Sequence, residues 1–300
     1  MLALAGILLV FLAVFGGFLL ERGNPYVLMQ PAELLIVVGA AIGITLLANP
    51  PGIIRRTCCA SRSIFRPPRH TPESFLRYLR LLYEVFGFAQ RAGLAQLEND
   101  IEDPGASPIF ANYPEFLDDP AARSFICDSL RMLVIGVTTA PELDRLMELD
   151  IAVQQRGRRE PVAALGALAD ALPGLGIVAA VLGVVITMEA IGGAPETVGQ
   201  KVAAALVGTF LGILLCYGVI GPAAARLEHV NDAHAQFLQV LRTAIVAFAR
   251  GASPILAIEY ARRSIPEELR PSFIDMEISI KRDARIPPVP RPDGVQIVNG

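Results

Sequence analysis

The chain has 300 residues, of which 53% are hydrophobic and only 18% charged, with a mean hydropathy of +0.49 and a net charge of -3. That balance is too apolar and too charge-poor for an ordinary soluble enzyme and points to a membrane protein. With no basic surplus and no aromatic-basic stripe, nucleic acid is excluded as a partner.

Met1 to Leu20 carries no charge, and about twenty apolar residues is the length that crosses a hydrocarbon core of about 30 Å. The alternative is a cleavable signal peptide. It lacks a positive first region and a small-x-small site before Glu21 and Arg22, so a retained span is expected. A short loop containing "GNPY" leads to a second apolar run, Leu34 to Ala48, extended outward by Pro31, Ala32 and a membrane-edge Glu33. The third run is "ALPGLGIVAAVLGVVITM", Ala171 to Met188, which opens on Pro173, Gly174 and Gly176. The fourth is Val202 to Ala225.

Four spans put both termini on one side. Arg22 and Lys201 are the only basic residues in the loops after spans one and three, and Arg55, Arg56, Arg62, Arg66 and Arg69 crowd the exit from span two. The positive-inside tendency therefore makes that segment and both termini cytoplasmic. The expected fold is all-α: a polytopic membrane protein with four transmembrane helices and a large helical cytoplasmic domain. Its expected parts are a membrane hairpin over 1–50 (spans about 1–20 and 33–49) and a cytoplasmic helical domain over 51–170. A second hairpin follows over 171–225 (spans about 171–190 and 202–225). Cytoplasmic C-terminal helices then occupy 226–282, and a disordered Pro-rich tail 283–300.

In the cytoplasmic segments Thr71 reads as an N-cap with Pro72 at the first helical position, and Phe75, Leu79, Leu82 and Phe86 recur at three- and four-residue steps. Thr139 and Glu142 have capping-box spacing. Arg226 to Arg250 reads as a long helix continuing out of span four, stopped by Gly251.

Nucleotide-binding, nucleophile and zinc-protease motifs are missing, so no enzyme activity and no cofactor are expected. The cysteines Cys58, Cys59, Cys127 and Cys216 lack CxxC spacing and read as reduced thiols. His70, His229 and His234 lack metal-ligand spacing, so no metal is expected. The energy source open to such a chain is an ion gradient. Yet spans three and four hold no acidic or basic side chain in their interiors; their polar members are Thr187, Thr209, Cys216 and Tyr217, while Glu33 and Glu189 lie at outer edges. If protons cross here, another polypeptide supplies the carboxylate that binds them. Gly39 and Gly43, Gly176 and Ala180, Ala179 and Gly183, and Gly208 and Gly212 have small-xxx-small spacing, which lets helices approach closely, either within this chain or onto partner helices.

The motifs "VFGGFLL", "QPAELLIVVGAAIG", "LENDIEDP", "ALPGLGIVAAVLGVV", "LVGTFLGILLCYGVIGP" and "LRPSF", in this order and with this span spacing, resemble the motility protein A family. Its members are proton-channel subunits of the flagellar-motor stator. The resemblance runs from Met1 to about Ile280. It implies a homo-oligomeric ring in the bacterial inner membrane around a single-span partner, motility protein B, which anchors to peptidoglycan and carries the ion-binding aspartate. It further implies that Pro173 and Pro222 couple ion passage to movement, and that Ala180 and Thr209 line the space beside the partner's aspartate. Tyr217 and Glu33 are grouped with this pathway. Sodium-driven relatives tend to have Thr where Ala180 stands, which favours H+ as the transported ion.

On the cytoplasmic side, the family's contact with the rotor's switch protein (FliG-like) implies roles for Glu98 and Asp150. The family's preceding Arg aligns with Gln90, with Arg91 beside it; one residue turns a helix by about 100°. Two other readings stay open on the residues: an ExbB- or TolQ-like energiser of outer-membrane processes, and a non-conducting membrane scaffold. Pro173 likewise reads either as the start of span three or as a hinge within a longer helix.

Overall fold

A computed structural model describes residues 2–189, 192 and 194–282; the Pro-rich stretch 283–300 lies outside the described residues. Among the described residues there is no strand. The described residues divide into two compact units, one within 1–67 and 156–232, the other within 68–155 and 233–300.

The first unit holds the apolar helices. Helix α1 (Leu2–Leu20) is apolar on every side, and none of its membrane-length window is buried. Leu8, Leu9 and Leu12 stand more than half exposed, which water would penalise and hydrocarbon does not. Asn24 caps the single turn α2 (Pro25–Leu28), its side chain accepting from the Tyr26 N–H at 3.1 Å. Helix α3 (Pro31–Ala48) starts with proline at N1, where its missing donor costs nothing. It buries only Glu33, Val37 and Ala41, one every fourth residue and hence one stripe. Helix α4 (Pro51–Ser63) follows a Pro50–Pro51 corner.

Further along the chain come α5 (Pro72–Ala92), α6 (Glu98–Glu102), α7 (Pro114–Leu117), α8 (Pro120–Ile135) and α9 (Ala140–Met188). They are followed by α10 (Pro195–Leu215), a five-residue π-helical segment (Cys216–Ile220), α11 (Gly221–Ala249), α12 (Pro254–Ser264) and α13 (Phe273–Arg282). Of these, the later part of α9, all of α10 and the start of α11 complete the first unit. Val37 and Ala41 of α3 pack there with Ala169, Leu172 and Ala179 of α9 and with Cys216. Ile64, Leu165, Ala224 and Leu227 form a smaller cluster beside them.

Four helical stretches, Ala3–Leu20, Pro25–Ala48 and parts of Ala140–Met188 and Pro195–Ala249, are long and apolar enough to cross a membrane. Helix α9 is 49 residues long and contains both Pro161 and Pro173 in its interior. Span three is thus part of a helix about 74 Å long, and Pro173 lies within that helix, away from its start.

The second unit is a polar-surfaced helical domain around a conventional core. Thr71 caps α5, its hydroxyl accepting from the Ser74 N–H at 3.3 Å while the Ser74 hydroxyl accepts from the Thr71 N–H at 3.0 Å. The stripe Phe75, Leu79, Leu82, Phe86 faces inward, and Phe86 stacks on Phe248 at 4.3 Å. Asp119 caps α8 by accepting from the N–H groups of Ala121 and Ala122, and Gly136 closes that helix at φ 71°. Leu143, Met147 and Ile151 of α9, with Phe237, Leu241 and Ile245 of α11, complete the core. Arg242 ties these two helices by bonding Asp144 at 2.6 Å and Glu148 at 3.3 Å. At Thr139 the N–H and the hydroxyl both donate to the Glu142 carboxylate, at 2.8 Å each, which holds that carboxyl below its usual range.

Candidate functional site: a glycine seam and a charged surface

The first unit contains a seam where α9 and α10 touch backbone to backbone. A Cβ added at Gly176 would stand 2.8 Å from the carbonyl oxygen of Gly208, and one at Gly212 only 2.5 Å from that of Leu172. At Gly183 it would meet the Cβ of Ala205 at 2.6 Å, and at Gly208 the Cβ of Ala179 at 2.8 Å. Real Cβ atoms do not approach so closely, so glycine at these four positions sets the interhelical distance. By contrast, Gly43 of α3 meets nothing within 4 Å and Gly39 only its own helix neighbour Leu35.

Of the expected pathway residues, Pro173, Ala180 and Thr209 lie at this seam. Ala180 is half-buried one turn beyond Gly176, its backbone nitrogen 3.3 Å from where a Cβ at Gly208 would sit. Thr209 is half-buried, and its hydroxyl donates to the Gly176 carbonyl at a long 3.5 Å. Pro173 follows Leu172, whose carbonyl faces Gly212, so the missing donor of α9 lies at the point of closest approach to α10. Pro222 is the second residue of α11 and exposed. The π segment precedes it directly, the Gly221 N–H donating to the Cys216 carbonyl across five residues. Such a segment widens one turn and is enriched at functional sites. Tyr217, within it, is 72% exposed and takes no part in the seam.

Glu33 is the third residue of α3. It is 7% exposed, and its carboxyl fits against α9 and α10: Oε1 lies 3.3 Å from a Cβ position at Gly183, Oε2 2.7 Å from one at Gly208. Oε2 is buried with no hydrogen-bond partner. The glycines of two distant helices open the space that takes it in. Nothing local in the sequence signals this.

The expected rotor-facing residues lie in the second unit and are all exposed. Gln90 and Arg91 end α5, Arg91 Nε donating back to the Gly87 carbonyl at 3.1 Å. Gly93, at φ 93°, then turns the chain in a conformation that favours glycine, and Glu98 opens α6. Asp150 accepts from the Gln154 side chain at 3.1 Å, beside the inward stripe of α9. Among the described residues no cluster of His, Cys, Asp or Glu is arranged to hold a metal.

Residues 4–93 match the family described as Motility protein A N-terminal, and residues 118–239 the MotA/TolQ/ExbB proton channel family. The chain is 37% identical to Motility protein A of Escherichia coli (strain K12) over 94% of this chain and 95% of that protein. The chain belongs to the motility protein A family.

A second member, Chemotaxis protein LafT of Vibrio parahaemolyticus, is 35% identical over 91% of this chain and 95% of its own length. The fold agrees with solved structures of the family. The structure of C. jejuni MotAB matches with a TM-score of 0.74 over 90% of this chain and 98% of that one, at 19% identity. The flagellar MotAB stator complex from Bacillus subtilis matches with a TM-score of 0.72, at 24% identity over 88% of this chain and 95% of that one. Family membership and the apolar helices together make this a membrane protein. The N-terminal match separates it from an ExbB- or TolQ-like energiser, with which it shares the channel family.

Proposed function

We propose that this family member is the ion-conducting stator subunit of a bacterial flagellar motor, turning ion flow into torque on the rotor. The observation that carries the mechanism is the α9–α10 seam. Its helices touch through glycine and alanine, and from Ala171 to Met188 and from Val202 to Ala225 they contain no acidic or basic side chain. Neither helix offers a carboxylate of its own to a path beside Ala180 and Thr209, and a single-span, peptidoglycan-anchored partner supplies the aspartate that binds the ion there. Several copies of this chain surround that partner as a ring in the inner membrane, with both termini cytoplasmic.

The transported ion is H+, since Ala180 offers a methyl group where a hydroxyl would help to coordinate sodium; no cofactor takes part. Protonation of the partner's aspartate moves the seam, and Pro173 and the π segment with Pro222 are the points where α9 and α10–α11 give way. A proline removes a backbone bond and a π turn holds a weaker one, so bending there costs less than in a regular helix. Asp150, on the cytoplasmic part of α9, and Glu98 at the start of α6, with Gln90 and Arg91 in the last turn of α5, bear against the rotor's switch protein. Exposed ion pairs are worth at most about 1 kcal/mol each and are screened by salt. Contacts of that strength suit a device that grips and releases. Swimming speed tests the ion: it should fall with collapse of the pH gradient and ignore external sodium, whereas sodium-tracking speed would refute proton use.

A further inference from the structure

The seam contains one ionisable group of this chain's own that the proposed mechanism leaves without a task. Glu33 enters it from α3, with its two carboxyl oxygens against Gly183 of α9 and Gly208 of α10. Both glycines are in helix interiors, so their N–H groups are spent on the helix ladder. The buried Thr187 hydroxyl, one turn from Gly183, is spent as well, donating to the Gly183 carbonyl at 2.8 Å.

No charge stands close in sequence on the packed elements. On α10 the charged positions are Glu196 and Lys201, the nearer about two turns before Gly208. On the part of α9 in the first unit they are Asp170 and, just past the helix end, Glu189; the arginines Arg156, Arg158 and Arg159 and Glu160 lie further back. Tyr26 on α2, Cys216 and Tyr217 in the π segment, and Arg55, Arg56, Cys58, Cys59 and Arg62 on α4 complete the titratable groups of the neighbouring elements. None bonds Glu33 Oε2. With Oε2 buried and, among the described residues, neither a cation nor a donor bonded to it, the carboxyl is compensated by taking up a proton.

We propose that Glu33 is a proton-binding site of this chain itself, in the glycine-walled space between α9 and α10, which loads a proton on the outer side of the path. The proposal rests on the stator reading for its direction. In that topology the first turn of α3 faces outward, and Ala180 lies three residues, about 4.5 Å of helix rise, further in than Gly183. A proton taken up as the carboxylate becomes the acid is released inward toward the partner's aspartate, and Glu33 returns to its starting charge. Gly183 and Gly208 are needed because a methyl at either would occupy the space of the carboxyl.

The test uses the chain assembled with its single-span partner in vesicles. Dicyclohexylcarbodiimide, which attacks protonated carboxyls in apolar surroundings, is applied from about pH 5 to about pH 9, and the modified residue is mapped by mass spectrometry. Glu33 should be labelled, at a rate falling about fivefold or more across that range. No labelling, or one rate at every pH, overturns the proposal. In parallel, Glu33→Gln, which keeps the shape, should assemble normally yet slow proton uptake about tenfold or more. Glu33→Asp should restore part of the uptake with a displaced pH profile. A Gln variant with the native rate and profile overturns the proposal. If the unaltered complex moves no protons, the stator reading itself fails, while the labelling result still decides whether Glu33 binds a proton.

Discussion

Glu33 and Gly208, 175 positions apart in sequence, meet so closely that a Cβ on the glycine would stand 2.7 Å from the Glu33 Oε2 atom. The pair joins α3 to the seam on which α9 and α10 touch, and shows that the seam tolerates no added atom there. Gly208→Ala should therefore push α10 from both Glu33 and Ala179, at a cost of about 1–3 kcal/mol, and reduce proton uptake and swimming together. Gly52→Ala, in a helix of the same unit but with nothing within 4 Å, should leave assembly of the complex near native. Size-exclusion profiles of the two variants beside their swimming speeds check this contrast.

Pro173→Ala returns a donor to the interior of α9 and closes the gap in its backbone ladder beside Gly212. A stiffer helix should still assemble and pass ions but transmit less movement. Simultaneous measurement of proton uptake in vesicles and rotation of tethered cells should show near-native uptake with rotation largely lost. Normal motility in this variant would remove the hinge from the mechanism.

Glu98→Lys reverses an exposed charge at the first residue of α6. Folding should change by less than about 1 kcal/mol. Torque should fall, and a compensating charge reversal on the rotor's switch protein should restore part of it. Torque unchanged by Glu98→Lys alone would place the rotor contact elsewhere.

In the second unit, Arg262 and Arg263 both bond Glu259 at 2.7 Å and hold its carboxyl down at about 2, with the Arg262 hydrogen bond as the largest cause. A carboxyl depressed on folding contributes stability that is complete above its unfolded value of 4.5 and is lost as pH falls towards 2. Glu259→Gln should therefore lower the melting temperature of this unit at pH 7, and the difference from the native chain should shrink as pH is lowered from 4.5. Circular dichroism melts across that window check the sign.

The elements set by local chemistry were readable from the residues. Thr71 and Pro72 start α5 because a hydroxyl cap and a donor-free first position suit a helix start, and the Phe75–Phe86 stripe names the face that the core takes. Gly251 likewise follows the end of α11, at φ 89°. What the residues concealed depended on distant partners. Pro173 could have started span three, yet α9 runs through it and through Pro161, and its Leu172 carbonyl packs on Gly212 of a distant helix.

The π segment before Pro222 had a faint signal in Gly218, Gly221 and Pro222, but its register follows from packing. The small-residue pairs on α9 and α10 were legible as close-contact faces, and they do meet one another. That Gly39 and Gly43 on α3 meet nothing comparable could not be separated from them by spacing alone. Glu33 was grouped with the pathway, but its burial against Gly183 and Gly208 was not legible, because an acid in the first turn of a helix does not show which distant glycines stand opposite.

Proton uptake by the reconstituted complex decides whether this chain conducts protons together with a partner. Vesicles containing this chain with a single-span partner should acidify internally or externally according to the imposed gradient, faster than vesicles with the chain alone, and lose that flux when the partner's membrane aspartate is changed to asparagine. Equal acidification with and without the intact aspartate, or none in either case, would contradict the account and leave the glycine seam as a means of assembly alone.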